Sequence, residues 1–178
     1  SGILRPGVTA VIGNGVVVDL AALIDEMSQL EAAGIDVQSQ LRISNRAHVI
    51  FPFHRLMEQM SEARKDRVQI GTTSRGIGPA YEDKIGRRGL RVADLFDTDA
   101  FRAAFDILVE DKKALAAVFQ LSDSVNYAEV RAKYEQLAAR IKPMVCDTSA
   151  LLNRSIAAGK KILFEGAQGT MLDIDHGT

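Results

Sequence analysis

Residues 8–34, VTAVIGNGVVVDLAALIDEMSQLEAAG, change period part-way along. Val8–Ile12 and Val16–Val18 are two β-rich runs around Gly13-Asn14-Gly15. The central triplet tolerates positive φ, so the stretch reads as strand, turn, strand. Asp19 then stands where a helix N-cap belongs. Leu20, Leu23, Ile24, Met27 and Leu30 follow at helical spacing, and Gly34 occupies the C′ position that favours glycine. Strands feeding a helix within 27 residues set the reading: an α/β fold.

The pattern extends outward from there. Leu41-Arg42-Ile43-Ser44 reads as a short strand. Phe51, Leu56, Met60 and Ala63 are periodic and predict a helix over 51–63. Glycines at 71, 76 and 78 break it, and Pro79 suits the first turn of a new short helix to about Ile85. From Thr98 to about Arg140 the chain is helical, with two stripes. One is Phe101, Phe105, Leu108, Leu115 and Val118; the other is Val125, Val130, Tyr134, Leu137 and Ile141. Both are read as core rather than ligand contacts. A turn is expected at 121–124. Residues 148–158 predict a helix ending at Gly159, and Lys161–Phe164 a strand running into a Glu-Gly-Ala-Gln-Gly loop.

The organisation predicted is one partial domain over 1–178. Residues 1–50 hold strand-turn-strand, helix and short strand; 51–160 are mainly helical with a phosphate loop at 71–79; 161–178 hold a strand and a glycine-rich ligand loop. So few strands make a thin core. The expectation is part of a mixed central sheet with a large helical excursion, a fragment of a larger single-domain fold.

Of the 178 residues, 47% are hydrophobic and 25% charged, as in ordinary globular proteins. The net charge of −1 points to no nucleic-acid or membrane partner. Its distribution says more. Residues 64–91 hold eight basic side chains (64, 65, 67, 75, 84, 87, 88, 91) and three acidic ones (66, 82, 83), an excess of +5, so the remainder carries −6. A single cysteine, Cys146, permits no intrachain disulfide and reads as a small buried hydrophobe. No apolar run approaches the ~18 residues of a membrane span, and no signal-peptide pattern is seen. The start without Met and the stop at Asp-His-Gly-Thr both read as cuts.

Three clusters could carry chemistry. In Gly71-Thr72-Thr73-Ser74-Arg75-Gly76-Ile77-Gly78-Pro79, glycine backbone, hydroxyls and a helix start together suit a phosphate, though the stretch is neither a P-loop nor a dinucleotide fingerprint. A plain glycine-rich connection is the bland alternative. With little apolar anchoring, residues 64–75 are expected to be mobile without ligand. Lys84, Arg87, Arg88 and Arg91 follow. On a continued helix, Lys84 and Arg88 would share one face, and Arg87 and Arg91 another. Such a patch suits phosphate or carboxylate, but also a solvated face or nucleic acid. Finally, Gln168 in the loop after 161–164 can donate to and accept from a carbonyl-like edge. Asp173, Asp175 and His176 are weak metal candidates. His48 and His54 have no partner at telling spacing and read as structural or surface residues.

GTTSRGIGPAYEDKIGRRGLRV (71–92) followed by FEGAQGTMLDIDHGT (164–178) resembles the adenylosuccinate synthetase family. SGILRPGVTAVIGNGVVVD (1–19) extends the resemblance over essentially the whole chain. Ser74 departs from the glycine often found there. The resemblance implies a cytoplasmic, homodimeric purine-biosynthetic ligase, in which GTP phosphorylates the 6-oxygen of IMP and L-aspartate displaces that phosphate, with Mg2+ required. It implies that Thr73 binds the IMP 5′-phosphate, that Arg87 reaches the partner subunit's IMP, and that Gln168 acts at the 6-position. Thr72, Arg75, Lys84 and Arg91 would support these, and no nucleic acid or membrane is implied. The family's Asp-Glu-Gly-Lys-Gly-Lys loop, its Asp base and metal ligand, its catalytic His and its guanine-recognition segments are not in this sequence. The expectation is therefore an inactive fragment whose metal ligands lie elsewhere. A basic-patch nucleic-acid binder or a helical interaction module is the alternative.

Overall fold

The computed structural model describes residues 2–63, 73–118 and 125–166. The expected turn at 121–124 lies outside them, as do Thr72, Gln168, the Asp173–His176 cluster and most of the 64–75 loop.

Gly13-Asn14-Gly15 makes the expected turn, with the Val16 N–H donating to the Gly13 carbonyl at 3.4 Å, but the strands it joins do not pair with each other. The strands on either side, β1 (Ala10–Ile12) and β2 (Val17–Asp19), belong to different sheets. After α1 (Leu20–Ala32) and the single turn α2 (Val37–Gln40), the chain returns as β3 (Leu41–Ser44) and β4 (His48–Ile50). β3 lies parallel to β1, with Ile12 opposite Ile43; β4 lies parallel to β2, with Val17 opposite His48. A third short strand, β5 (Val145–Cys146), pairs parallel with β3. The strand, turn, strand reading therefore holds, as does the α/β class, but the two strands pair with later strands rather than with each other. Continuous apolar runs mark parallel strands covered on both faces, whereas a hairpin face alternates. All three residues of β4 are buried.

Local chemistry explains the helices. Asp19 caps α1 by accepting from the backbone N–H groups of Ala21 and Ala22, and Gly34 closes it at φ +83°. After α3 (Pro52–Ala63) and α4 (Ile77–Ile85), a 3-10 turn at Val92–Phe96 leads into the antiparallel pair α5 (Thr98–Val118) and α6 (Tyr127–Ile141). Asp147 caps α7 (Thr148–Ala157), which closes at Gly159.

The core sits between α1, the strands and the α5–α6 pair. Its centre is aromatic. The Phe51 ring stands 5.2 Å from Phe53, 5.3 Å from Phe105 and 4.5 Å from Tyr134. The Tyr134 hydroxyl donates to the Ile50 carbonyl at 2.7 Å, tying α6 to β4.

Three further expectations change. The α5 stripe turns away from the predicted phase. Phe101, Phe105 and Leu108 are buried, but Lys112 and Ala116 continue the face, leaving Leu115 and Val118 exposed. At about 100° per residue, Lys112 lies about 20° from Phe101 round the helix and Val118 about 100°. Residues 161–166 form no strand, and Leu163 and Phe164 are exposed. A strand needs a ladder partner, and the described residues supply none there. Cys146 is half-buried rather than buried, because β5 is the outer strand of the β1-β3-β5 order.

Candidate functional site

The anion-binding candidates bracket one short helix. Thr73, Ser74 and Arg75 are exposed on the approach to α4, and Arg87 is exposed just beyond its end. Nine residues of α-helix span about 13 Å, so Thr73 and Arg87 stand at opposite ends of the segment.

At the N-terminal end the chain is held against α3. Gly76 adopts φ +79°, and a Cβ there would sit 2.8 Å from the Arg55 backbone nitrogen. Its N–H donates to Glu58 Oε2 at 2.6 Å, and Glu58 is itself buried. Sequence reasoning offered this donor to a phosphate nest; the structure gives it to Glu58. Thr73 and Arg75 stay exposed at this end.

At the other end the expected helical arrangement of four cations is replaced by a turn. The helix stops at Ile85, and Arg87 takes the left-handed conformation at φ +58°. The Arg88 and Gly89 N–H groups both donate to the Asp83 carbonyl, at 2.9 and 3.0 Å. This is a Schellman-type closure with arginine where glycine is usual. Lys84 and Arg88 share no helical face. Lys84 donates to the carbonyls of Asn14 (2.7 Å) and Gly15 (3.1 Å), and the Tyr81 hydroxyl donates to Gly15 at 2.7 Å. The Gly13–Gly15 break is thereby pinned to α4, and the Lys84 ammonium is already engaged by protein. Burial, and secondarily Arg91, lowers the Lys84 pKa. Arg91 pairs with His48 across an antiparallel bridge, and its N–H donates to Asp94.

The histidines prove informative. His54 is buried in α3; its Nδ1 accepts from the Phe51 N–H at 2.9 Å, so Nε2 carries the proton and donates to Asp83 Oδ2 at 2.9 Å. Lys112 Nζ reaches Asp83 Oδ1 at 2.6 Å, also buried. Burial pushes the Asp83 carboxyl up, but the hydrogen bonds from His54 and Lys112 outweigh it and hold its pKa below the usual value. Burial lowers the pKa of His54, and that of His48, keeping both neutral. The sequence offered one missed signal: His54 and Glu58 stand at i, i+4 beside the apolar positions of one helix. Their link to residues 76, 83 and 112 has no local signature.

Among the described residues, no three His, Cys, Asp or Glu side chains come together as a cation site, and no helix is long and apolar enough to cross a membrane.

The adenylosuccinate synthetase family model matches residues 1–178. The adenylosuccinate synthetase of Solibacter usitatus is 61% identical over 178 residues, covering 100% of this chain and 41% of that protein. That of Koribacter versatilis is 48% identical, over 99% of this chain and 40% of that protein. The solved, fully ligated adenylosuccinate synthetase from Plasmodium falciparum superposes with a TM-score of 0.87 at 30% identity, covering 99% of this chain and 40% of that one. The chain thus spans about two-fifths of the length of the relatives it matches, and it belongs to the adenylosuccinate synthetase family.

Proposed function

We propose that this chain is part of a cytosolic, GTP-dependent ligase of purine nucleotide biosynthesis, joining IMP to L-aspartate, and that it carries part of the IMP site and of a homodimer contact. The γ-phosphoryl group of GTP passes to the 6-oxygen of IMP. The aspartate amine then attacks C6, and inorganic phosphate leaves with that oxygen. Activation is needed because a purine carbonyl oxygen is a poor leaving group. Thr73 binds the IMP 5′-phosphate through its hydroxyl, with Thr72 and Arg75 beside it. Gln168 hydrogen-bonds the 6-position as charge develops there. Lys84 and Arg91 support the turn that presents Arg87. Mg2+, held by residues outside this chain, would offset the charge on the transferring phosphoryl group.

The observation that carries this reading is the separation of Thr73 and Arg87 by the full length of α4. One phosphate is poorly placed to take both from one subunit. Two subunits exchanging Arg87 would complete each other's sites, as a two-fold interface allows. The test is complementation between Thr73→Ala and Arg87→Ala chains. Each alone should bind IMP weakly by calorimetry. Mixed and re-equilibrated, they should regain tight sites, because a hybrid dimer holds one site with both residues intact. A mixture that binds no better than its components rules out the shared site.

A further inference from the structure

Arg87 is an arginine in a glycine's conformation. The turn Gly86-Arg87-Arg88-Gly89 has two glycines, yet neither takes the left-handed position. Gly89 is needed for close approach, whereas at Gly86 an added Cβ would meet only the mobile end of the Arg88 side chain. A Cβ on Gly86 would meet the Arg88 guanidinium at 2.9 Å, and one on Gly89 would meet His48 Cδ2 at 2.8 Å. The strained φ falls instead on the exposed arginine between them. Such strain persists only where the surroundings over-determine the backbone.

The over-determination runs through one residue. The Asp83 carbonyl accepts both N–H groups that close the turn. Its carboxylate is gripped by His54 from α3 and by Lys112 from α5, both buried, and the Arg88 guanidinium folds back to 3.6 Å from Oδ1. His54 is fixed in turn by the Phe51 N–H. Lys112 has no role in covering the core that an apolar residue could not fill, yet it places a charge there. Among the described residues it pairs with Asp83, and this buried ion pair joins α5 to α4.

We propose that Asp83, held by His54 and Lys112, is a buried hub that locks the Arg87 turn, and that Lys112 and His54 are positioning residues for the arginine offered to the partner's site. The last clause rests on the function proposed above; the lock itself does not. The helical excursion thereby has a duty beyond packing. It supplies the charge that keeps a strained anion-binding arginine in place.

The experiment uses amide hydrogen exchange on the 178-residue chain, with IMP titration as a separate readout. Lys112→Met keeps an unbranched side chain and removes the charge. It should speed exchange of the Arg88 and Gly89 amides roughly tenfold or more while the Ala33 and Gly34 amides at the end of α1 stay within about threefold. Adding Arg87→Gly, which suits the left-handed conformation, should return the Arg88 and Gly89 amides to within about threefold of the parent. IMP should bind the Lys112→Met chain roughly tenfold more weakly, and the double variant should not recover affinity, because the arginine is gone. If Lys112→Met does not fold, Asp83→Asn is read in the same way, since it retains the carbonyl and loses the ion pair. A folded variant with unchanged exchange at Arg88 and Gly89 overturns the hub. So does equal acceleration at every site, or a turn that Arg87→Gly fails to restore. A parent chain that binds no IMP refutes the functional reading alone, because the exchange data still decide the lock.

Discussion

Arg87 holds a backbone conformation that costs an ordinary L-residue about 1–2 kcal/mol, and Ser74, at φ +52°, does the same at the other end of α4. Neither cost is visible in the sequence, where both residues look like loop polar groups. His54 is similar. By pattern it was a surface or structural histidine, and only its two contacts show why it must stay neutral. Protonated Nδ1 would face the Phe51 N–H donor to donor. Its charged and titratable neighbours are Asp83, Lys112 and Glu82, and burial is the largest influence on it. With its pKa lowered from the ordinary 6.5, the unfolded chain takes up the proton first. Stability is then complete above pH 6.5 and falls as pH drops below it, by about 1.4 kcal/mol per pH unit at most for this one group. Asp83, also lowered, adds a second loss below 3.8. Urea midpoints at pH 7.5, 6.0 and 5.0 should therefore decline in that order. Equal midpoints at all three would remove His54 as a buried neutral group.

At the scale of elements, the long helices were readable, while strand number, helix phase and pairing were not. Capping residues announced α1 and α7 because side-chain caps are local chemistry. The strands and turn over Ala10–Asp19 were legible, but not their parallel partners, which lie beyond a helix and are encoded by nothing inside that stretch. On α5 the stripe was mis-phased at its C-terminal half, since a lysine was not expected to continue a buried face. The two phases make different predictions. Phe105→Ala should destabilise the chain by about 3–5 kcal/mol, through lost burial and the cavity left in the aromatic centre. Val118→Gln should change stability by no more than about 0.5 kcal/mol. Denaturant melts of both variants decide it, and a large loss from Val118→Gln would restore the predicted stripe. α4 carries the proposed site. It is short, with Gly76 and Glu58 fixing one end and Asp83 the other.

For the whole molecule, the positive excess over 64–91 on an acidic body focuses an anion toward one segment. The family fold is present over nearly all of this chain, though the chain covers 41% of its Solibacter relative. The motifs that the family uses for GTP and for the catalytic Asp and His do not occur in these 178 residues. The purified chain, given IMP, GTP, L-aspartate and Mg2+, is accordingly expected to form no adenylosuccinate, monitored by the purine absorbance change. Turnover at a full enzyme's rate would show that the chemistry is housed here after all.

The sequence by itself determined the class, the helices and the family. These rest on short-range periodicity, on caps, and on two motif blocks long enough to be specific. It also singled out a candidate anion segment, because glycine, hydroxyl and guanidinium chemistry is written in contiguous residues. Tertiary structure alone decided which donors in that segment are already taken, which arginine is strained, and what holds it. His54, Asp83 and Lys112 are separated by 29 residues at each step, and become neighbours only when α3, α4 and α5 pack. Burial then makes their hydrogen bonds and charges matter, since in water the same groups would be screened and solvated.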